Sequence, residues 1–279
     1  MSRLTETGQG GKIRFDELAS RWFDSVKMTL KPNTARGHSI IIRNLSGRFG
    51  DMPVRSITVR DCEDWATQRG SAVAASTYNS ERGILTAILA LARRDGLLLD
   101  NPAEHVPRRK MEKPALEIPT RAQFVQLVSA MRALDVRAFP GADLIELLGY
   151  SGMRLSEGTS LTWGDIDWQS ERFVVTGGEH GTKNGEARSV PLFPALRALL
   201  QKLRGDCQPV SGDRVISIAT AKRALATACR KSGLPDFSHH AMRHYFVSNA
   251  IEAGVDFKTI AAWVGHKDGG VLVAKTYVT

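Results

Sequence analysis

The sequence is short of the features that mark several large function classes. Its 3 cysteines, at positions 62, 207 and 229, form no CxxC pair and no Cys/His spacing suited to a metal. That excludes a disulfide framework or a zinc module and points to a reducing compartment. No apolar run approaches the ~18 residues of a membrane span, and the opening MSRLTETGQGGK has no signal-peptide core. A phosphate-binding P-loop, a carboxylate pair and a cluster of metal-ligating residues are all missing. Acidic residues are also in deficit, 29 Asp+Glu against 38 Lys+Arg, which leaves a formal charge of +9. The reading is of a cytoplasmic globular protein with no metal, no cofactor and no membrane partner, whose charge favours a polyanion such as nucleic acid.

What is present is helical patterning in two blocks. Phe15, Leu18, Trp22 and Val26 recur at helical spacing, and similar stretches follow at Ile40 to Leu45, Cys62 to Trp65 and Ile84 to Ala92. Turn-formers separate them at Lys31-Pro32-Asn33, Gly50-Asp51-Met52-Pro53 and Asp100-Asn101-Pro102. A disordered tail over 1–12 and a compact four-helix domain over 13–105 are therefore expected. Residues 106–118 carry prolines and a basic run without an apolar period, which describes a linker. Its Arg108, Arg109 and Lys110 are as consistent with phosphate contact as with plain solvation. From 119 to 279 the pattern is mixed: helices near 121–134 and 142–150, short strands at Arg172 to Thr176 and Arg188 to Leu192 around an Asn184-Gly185 turn, then helices again from Ala195. The fold class is mainly α with a small β-hairpin.

Several polar residues fit packing poorly. Ser151-Gly152 should stop one helix and leave Arg154 at the start of the next, where a cation opposes the helix dipole. Either an anion sits there, or Arg154 is a surface residue paired with Glu157. Ser238 can cap a helix on which His240, Arg243 and His244 share a face. A His/His pair four apart also suits zinc, but the Arg between them and the lack of a nearby Glu favour an oxyanion. Asp256 can cap a helix ended by Gly265, leaving His266 just beyond it, and Tyr277 follows eleven residues later. Lys183 adjoins the hairpin turn. Each of these alone has an ordinary structural explanation; the ordered set of Arg, Lys, His and Tyr does not.

The sequence resembles the tyrosine recombinases of the phage integrase family over nearly its whole length. The resemblance rests on SGMRLSEGTSLTWGDID around Arg154, GTKNGEARSVPL around Lys183, HAMRH at His240 to His244, AAWVGH ending in His266 and AKTY ending in Tyr277. It implies a two-domain DNA clamp, with a helical SAM-like core-binding domain and an α+β catalytic domain. It implies that Tyr277 attacks a scissile phosphodiester to give a 3′-phosphotyrosyl bond, with His240 taking the phenolic proton. Arg154, Arg243 and His266 would brace the phosphoryl oxygens, Lys183 would protonate the leaving 5′-oxygen, and Glu157 would orient the arginine. Double-stranded DNA is the implied partner, bound by a homotetramer on paired sites that is a monomer or weak dimer when free, with accessory DNA-bending or directionality proteins.

Arg36, Thr77, Asn79 and Arg82 lie near helix starts where the family meets DNA, and solvated surface is the alternative for each. The chain departs from the family pattern in Gly158, Thr159 and Ser160, because glycine within a helix costs about 1 kcal/mol against alanine; Arg154 is therefore expected to be loosely held. It also stops two residues after Tyr277, where family members commonly continue into a segment that docks on a neighbouring protomer. The short stretch before Phe15 predicts core-site binding only. Two rival functions are a non-catalytic DNA-binding protein of the same fold and a relaxing topoisomerase.

Overall fold

A computed structural model describes residues 13–112, 116–177, 186–206 and 208–277. The expected tail over 1–12, Lys183 and the Asn184-Gly185 turn lie outside the described residues. The chain divides into two compact units, Met1–Pro114 and Ala115–Thr279.

Among the described residues the first unit holds four α-helices: α1 (Phe15–Lys27), α2 (Pro32–Phe49), α3 (Val59–Ala72) and α4 (Ala75–Arg94). Two of them start where local chemistry favours it. Pro32 supplies a fixed φ at the start of α2, and Thr58 and Asp61 cap α3 reciprocally. The apolar stripes of the four helices bury Phe15, Leu18, Leu45, Phe49, Leu85, Ile88 and Leu89 completely. Within this core Glu81 is only 1% exposed. It accepts both N–H groups of an Arg69 fork at 2.6 Å and the Asn44 amide at 3.0 Å, so one carboxylate joins α2, α3 and α4.

The segment after α4, read from sequence as the start of a linker, is fastened to this unit. Arg82 Nε donates to the Val106 carbonyl, and the Tyr78 hydroxyl to that of Pro107 at 3.1 Å. Asn79 exchanges two hydrogen bonds with the Arg109 backbone, each 2.9 Å, and the Arg109 guanidinium reaches the carbonyls of Gly70 and Val73. Arg109 is thus a strap across α3 and α4.

The second unit is built around α6 (Phe139–Ser151), whose Leu144, Ile145, Leu147 and Leu148 are all fully buried. A helix apolar on every side must be enclosed, and α5 (Arg121–Arg132), α7 (Leu155–Ser160), α8 (Pro194–Arg204) and α10 (His239–Glu252) enclose it. Three short antiparallel strands, β1 (Ile166–Asp167), β2 (Arg172–Val175) and β3 (Arg188–Pro191), form a sheet in chain order. Phe173 pairs with Val190, and both face the core. The two-residue β1 was too short to register as a period in the sequence. Helices α9 (Lys222–Lys231), α11 (Phe257–Val264) and α12 (Val271–Tyr277) complete the unit.

Gly158 turns out to serve α7 rather than weaken it. A Cβ there would lie 2.7 Å from Leu148 Cδ2, so its absence lets α7 lie directly on α6. The loose hold on Arg154 inferred from this glycine is corrected by the ion pairs described below. Gly152, which ends α6, has φ +66° and would place a Cβ 2.5 Å from the Phe246 ring. Gly152→Ala combines a left-handed backbone penalty with overpacking, and is expected to lose about 2–4 kcal/mol in urea unfolding.

Candidate active site

Four chain segments converge in the second unit. After Gly152 reverses the chain, Arg154 takes the N-cap position of α7, and its backbone N–H donates to Glu157 Oε2 at 2.9 Å. Its guanidinium donates to Glu157 Oε1, also at 2.9 Å. Glu157 is only 3% exposed, yet it is ionised: burial alone would raise its pKa, but the hydrogen bonds and charge of Arg188, then those of Arg154, outweigh it and hold the carboxyl at about 2. A carboxyl lowered from 4.5 stabilises the fold above its unfolded value and stops doing so as pH falls through the folded one. The stability gap between wild type and Glu157→Gln should therefore persist above about pH 4.5 and close as pH falls towards about 2, in urea titrations at each pH.

The second segment is the start of α10. Ser238 Oγ accepts the Ala241 N–H and fixes the first turn, which carries His240, Arg243 and His244. Arg243, 3% exposed, donates to the carbonyl of Gly152 at 2.8 Å and to that of Val264, so it ties the C-terminal ends of α6 and α11 together. Cations are favoured at such ends. Its pKa is nevertheless lowered to about 9, first by burial and then by the neighbouring Arg154 charge, and it stays protonated at neutral pH.

The third segment follows α11. Asp256 caps that helix through the Thr259 N–H, and Gly265 ends it at φ +70°. His266 then places Nε2 3.2 Å from an Arg243 nitrogen. Burial and the Arg243 charge lower its pKa, keeping the imidazole neutral. A guanidinium only donates, so Nε2 accepts here and Nδ1 carries the proton. A pocket of ≈ 140 Å³ opens between Arg154, Arg188 and His266, with Glu186 and Lys267 paired at its rim.

The fourth segment is α12. Val273, fully buried against Phe246, Ile260 and Val264, seats this short helix, and Tyr277 packs on the same cluster. The Tyr277 hydroxyl is hydrogen-bonded to His244 Nδ1. Burial pushes the phenol pKa up and the Arg243 charge pulls against it. His244 is lowered to about 4 by burial and by the neighbouring His240, Arg243 and His266, so it is neutral at pH 7. The exposed His240 ring stands edge-on to that of His244, centroids 4.6 Å apart.

Arg154, Glu157, Arg243, His266, Tyr277 and His240 are thus brought together, while Lys183 lies outside the described residues. Two members of the site were not singled out from sequence. In the sequence His244 shares a helix face with His240 and Arg243, and nothing there assigns it a part. Arg188 carries only the signature of a strand residue, and an arginine turned inward at a strand start has no distinguishing pattern. Of the four residues considered for DNA in the first unit, Arg36 and Thr77 are exposed on α2 and α4, whereas Asn79 and Arg82 spend their side chains on the backbone of residues 104–109.

The comparisons with known proteins agree along the chain. The phage integrase family matches residues 120–278, and the N-terminal SAM-like domain of phage integrases matches residues 14–68. Tyrosine recombinase XerC of Chlamydia trachomatis serovar L2 is 28% identical over 225 residues, 73% of this chain and 69% of that protein. Tyrosine recombinase XerD of Neisseria meningitidis serogroup B is 24% identical over 277 residues, 94% of this chain and 91% of that one. Among solved structures, a lambda integrase tetramer bound to a Holliday junction superposes with a TM-score of 0.80 at 17% identity, covering 95% of this chain and 81% of that chain. The Tn1549 transposon integrase in complex with circular intermediate DNA gives 0.73 at 21% identity, covering 95% of each chain. With its catalytic-domain match, its helical N-terminal match and this fold, the chain belongs to the phage integrase family, the tyrosine-type site-specific recombinases.

Proposed function

We propose that this recombinase cuts and rejoins DNA with Tyr277 as its nucleophile. The observation that carries the reading is the Tyr277 hydroxyl held by an imidazole beside the buried Arg243, in one cluster with Arg154 and His266. Three guanidiniums, Arg154, Arg188 and Arg243, surround one carboxylate, Glu157, and leave an excess of positive charge suited to a phosphodiester whose negative charge grows in a pentavalent transition state.

In the proposed step the phenolic oxygen bonds to phosphorus and the bond to the 5′-oxygen breaks. The phenolic proton passes to His240, with His244 as its holder in the DNA-free arrangement, and Lys183 protonates the leaving oxygen. Arg154, Arg243 and His266 brace the remaining oxygens. The phosphotyrosyl ester keeps the energy of the broken diester, so a 5′-hydroxyl from another strand reverses the step without ATP. DNA is the partner. The lambda integrase tetramer bound to a Holliday junction supports assembly of four copies on paired sites. Accessory DNA-bending or directionality proteins would then choose the direction. Exposed Arg36 and Thr77 are the proposed contacts of the first unit.

A nicked duplex that loses a short 5′-hydroxyl fragment on cleavage traps the intermediate. The protein should form an adduct in the presence of chelator, and digestion with mass spectrometry should place the nucleotide on the peptide containing Tyr277. An adduct on any other residue would overturn the assignment.

A further inference from the structure

In the proposed step Arg188 adds only its charge, yet it touches both the carboxylate that holds Arg154 and the glycine that precedes His266. Arg188 opens strand β3, and its side chain is 10% exposed. Its NH1 and NH2 donate to the two oxygens of Glu157 at 3.1 and 2.6 Å, and its Nε donates to the Trp263 carbonyl at 2.6 Å. A Cβ on Gly265 would lie 3.2 Å from Arg188 NH1, so the left-handed glycine before His266 also makes room for this guanidinium.

We propose that Arg188 is the positioning residue of the recombinase site, a planar fork that sets Glu157, and through it Arg154, in register with the loop carrying His266. Two alternatives fit less well. Direct phosphate binding would need free N–H groups facing the pocket, and the fork side of Arg188 is spent on Glu157. Simple core filling would be served by any long apolar side chain, but here the alternative is a buried carboxylate left with one cation. The fork geometry matters because a carboxylate that accepts from two guanidiniums and one backbone N–H has a single orientation. Strand β3 also follows the segment containing Lys183 in the chain, so Arg188 anchors the strand on the C-terminal side of that segment.

This inference rests on the proposed role of the Tyr277 cluster, and the experiment separates the two. The substrate is a nicked duplex selected from a randomised pool by covalent capture on the wild type. Single-turnover adduct formation, duplex affinity and thermal unfolding are measured for wild type, Arg188→Met, Arg188→Lys, Glu157→Gln and the Arg188→Met/Glu157→Gln double variant.

Arg188→Met should slow adduct formation about 30- to 100-fold with affinity within about threefold of wild type, because misplacement acts on the chemical step. Arg188→Lys keeps the charge without the fork and should fall between the two. The double variant restores the excess positive charge of the cluster and should be about fivefold faster than Arg188→Met. A purely structural role would show its recovery in thermal unfolding alone, so the rates are compared at a temperature where every variant is fully folded, and a recovery of rate there marks the active site. Arg188→Met reacting at the wild-type rate, losing affinity as much as rate, or slowing further on adding Glu157→Gln would overturn the assignment of Arg188 while a wild-type Tyr277 adduct upholds the reading beneath it. A wild-type protein that forms no adduct would overturn both.

Discussion

Tyr277→Phe should bind duplex DNA as tightly as wild type and form no covalent adduct on a nicked substrate. The substitution removes one oxygen from a ring seated on Phe246, Val264 and Val273, so packing of α12 is preserved. The lost hydrogen bond to His244 is worth about 0.5–1.5 kcal/mol of stability, too little to unfold the unit. The chemical loss is of another order if Tyr277 is the proposed nucleophile, because among the described residues no other hydroxyl is hydrogen-bonded to the His244 ring. The electrostatics of the DNA-free site oppose loss of the phenolic proton: burial raises the phenol pKa, while burial and neighbouring groups hold His244 near 4. A DNA phosphate brings the missing negative charge, relieves the imidazoles of that repulsion and makes them better bases. Adduct formation should therefore depend on the bound phosphate rather than on the ionised fraction of the free tyrosine. Equal trapping by the phenylalanine variant would remove Tyr277 as nucleophile.

Much of this site was legible because helix caps are local. Ser238, Asp256 and Gly265 announce where α10 and α11 begin and end, and so place His240, Arg243 and His266 at helix ends. Gly152 does the same for Arg154. What was not legible depended on partners distant in the chain. Arg188 meets Glu157 across 31 positions and Trp263 across 75, and no periodicity reports a guanidinium turned back into the core. The pairing of Tyr277 with His244 depends on the packing of α12 through Val273. Gly158 was misread because helix propensity is a single-helix property, whereas its use is the close approach of Leu148 from α6. Asn79 and Arg82 look like DNA ligands for the opposite reason. They are polar and near a helix start, but the chain itself returns to take their hydrogen bonds.

Arg243 carries the second large expected effect, and two substitutions separate its duties. Arg243→Ala leaves the carbonyls of Gly152 and Val264 buried without their donor and opens a cavity between α6, α10 and α11. Unpaired buried carbonyls cost about 1–3 kcal/mol each, so a stability loss of about 3–5 kcal/mol is expected in urea unfolding. Adduct formation should fall about 10³-fold or more, since in the proposed step the guanidinium braces the developing charge, and it also holds His266. Arg243→Lys keeps a cation at this place but cannot span two carbonyls and an imidazole with one ammonium group. It should regain most of the stability while staying about 10²- to 10³-fold slow, with duplex affinity little changed. The burial that lowers Arg243 to about 9 means that the folded protein holds this charge at a cost, which an incoming phosphate offsets. A lysine variant that cleaves as fast as wild type would show that charge alone suffices, and would remove the directed hydrogen bonds of Arg243 from the catalytic account.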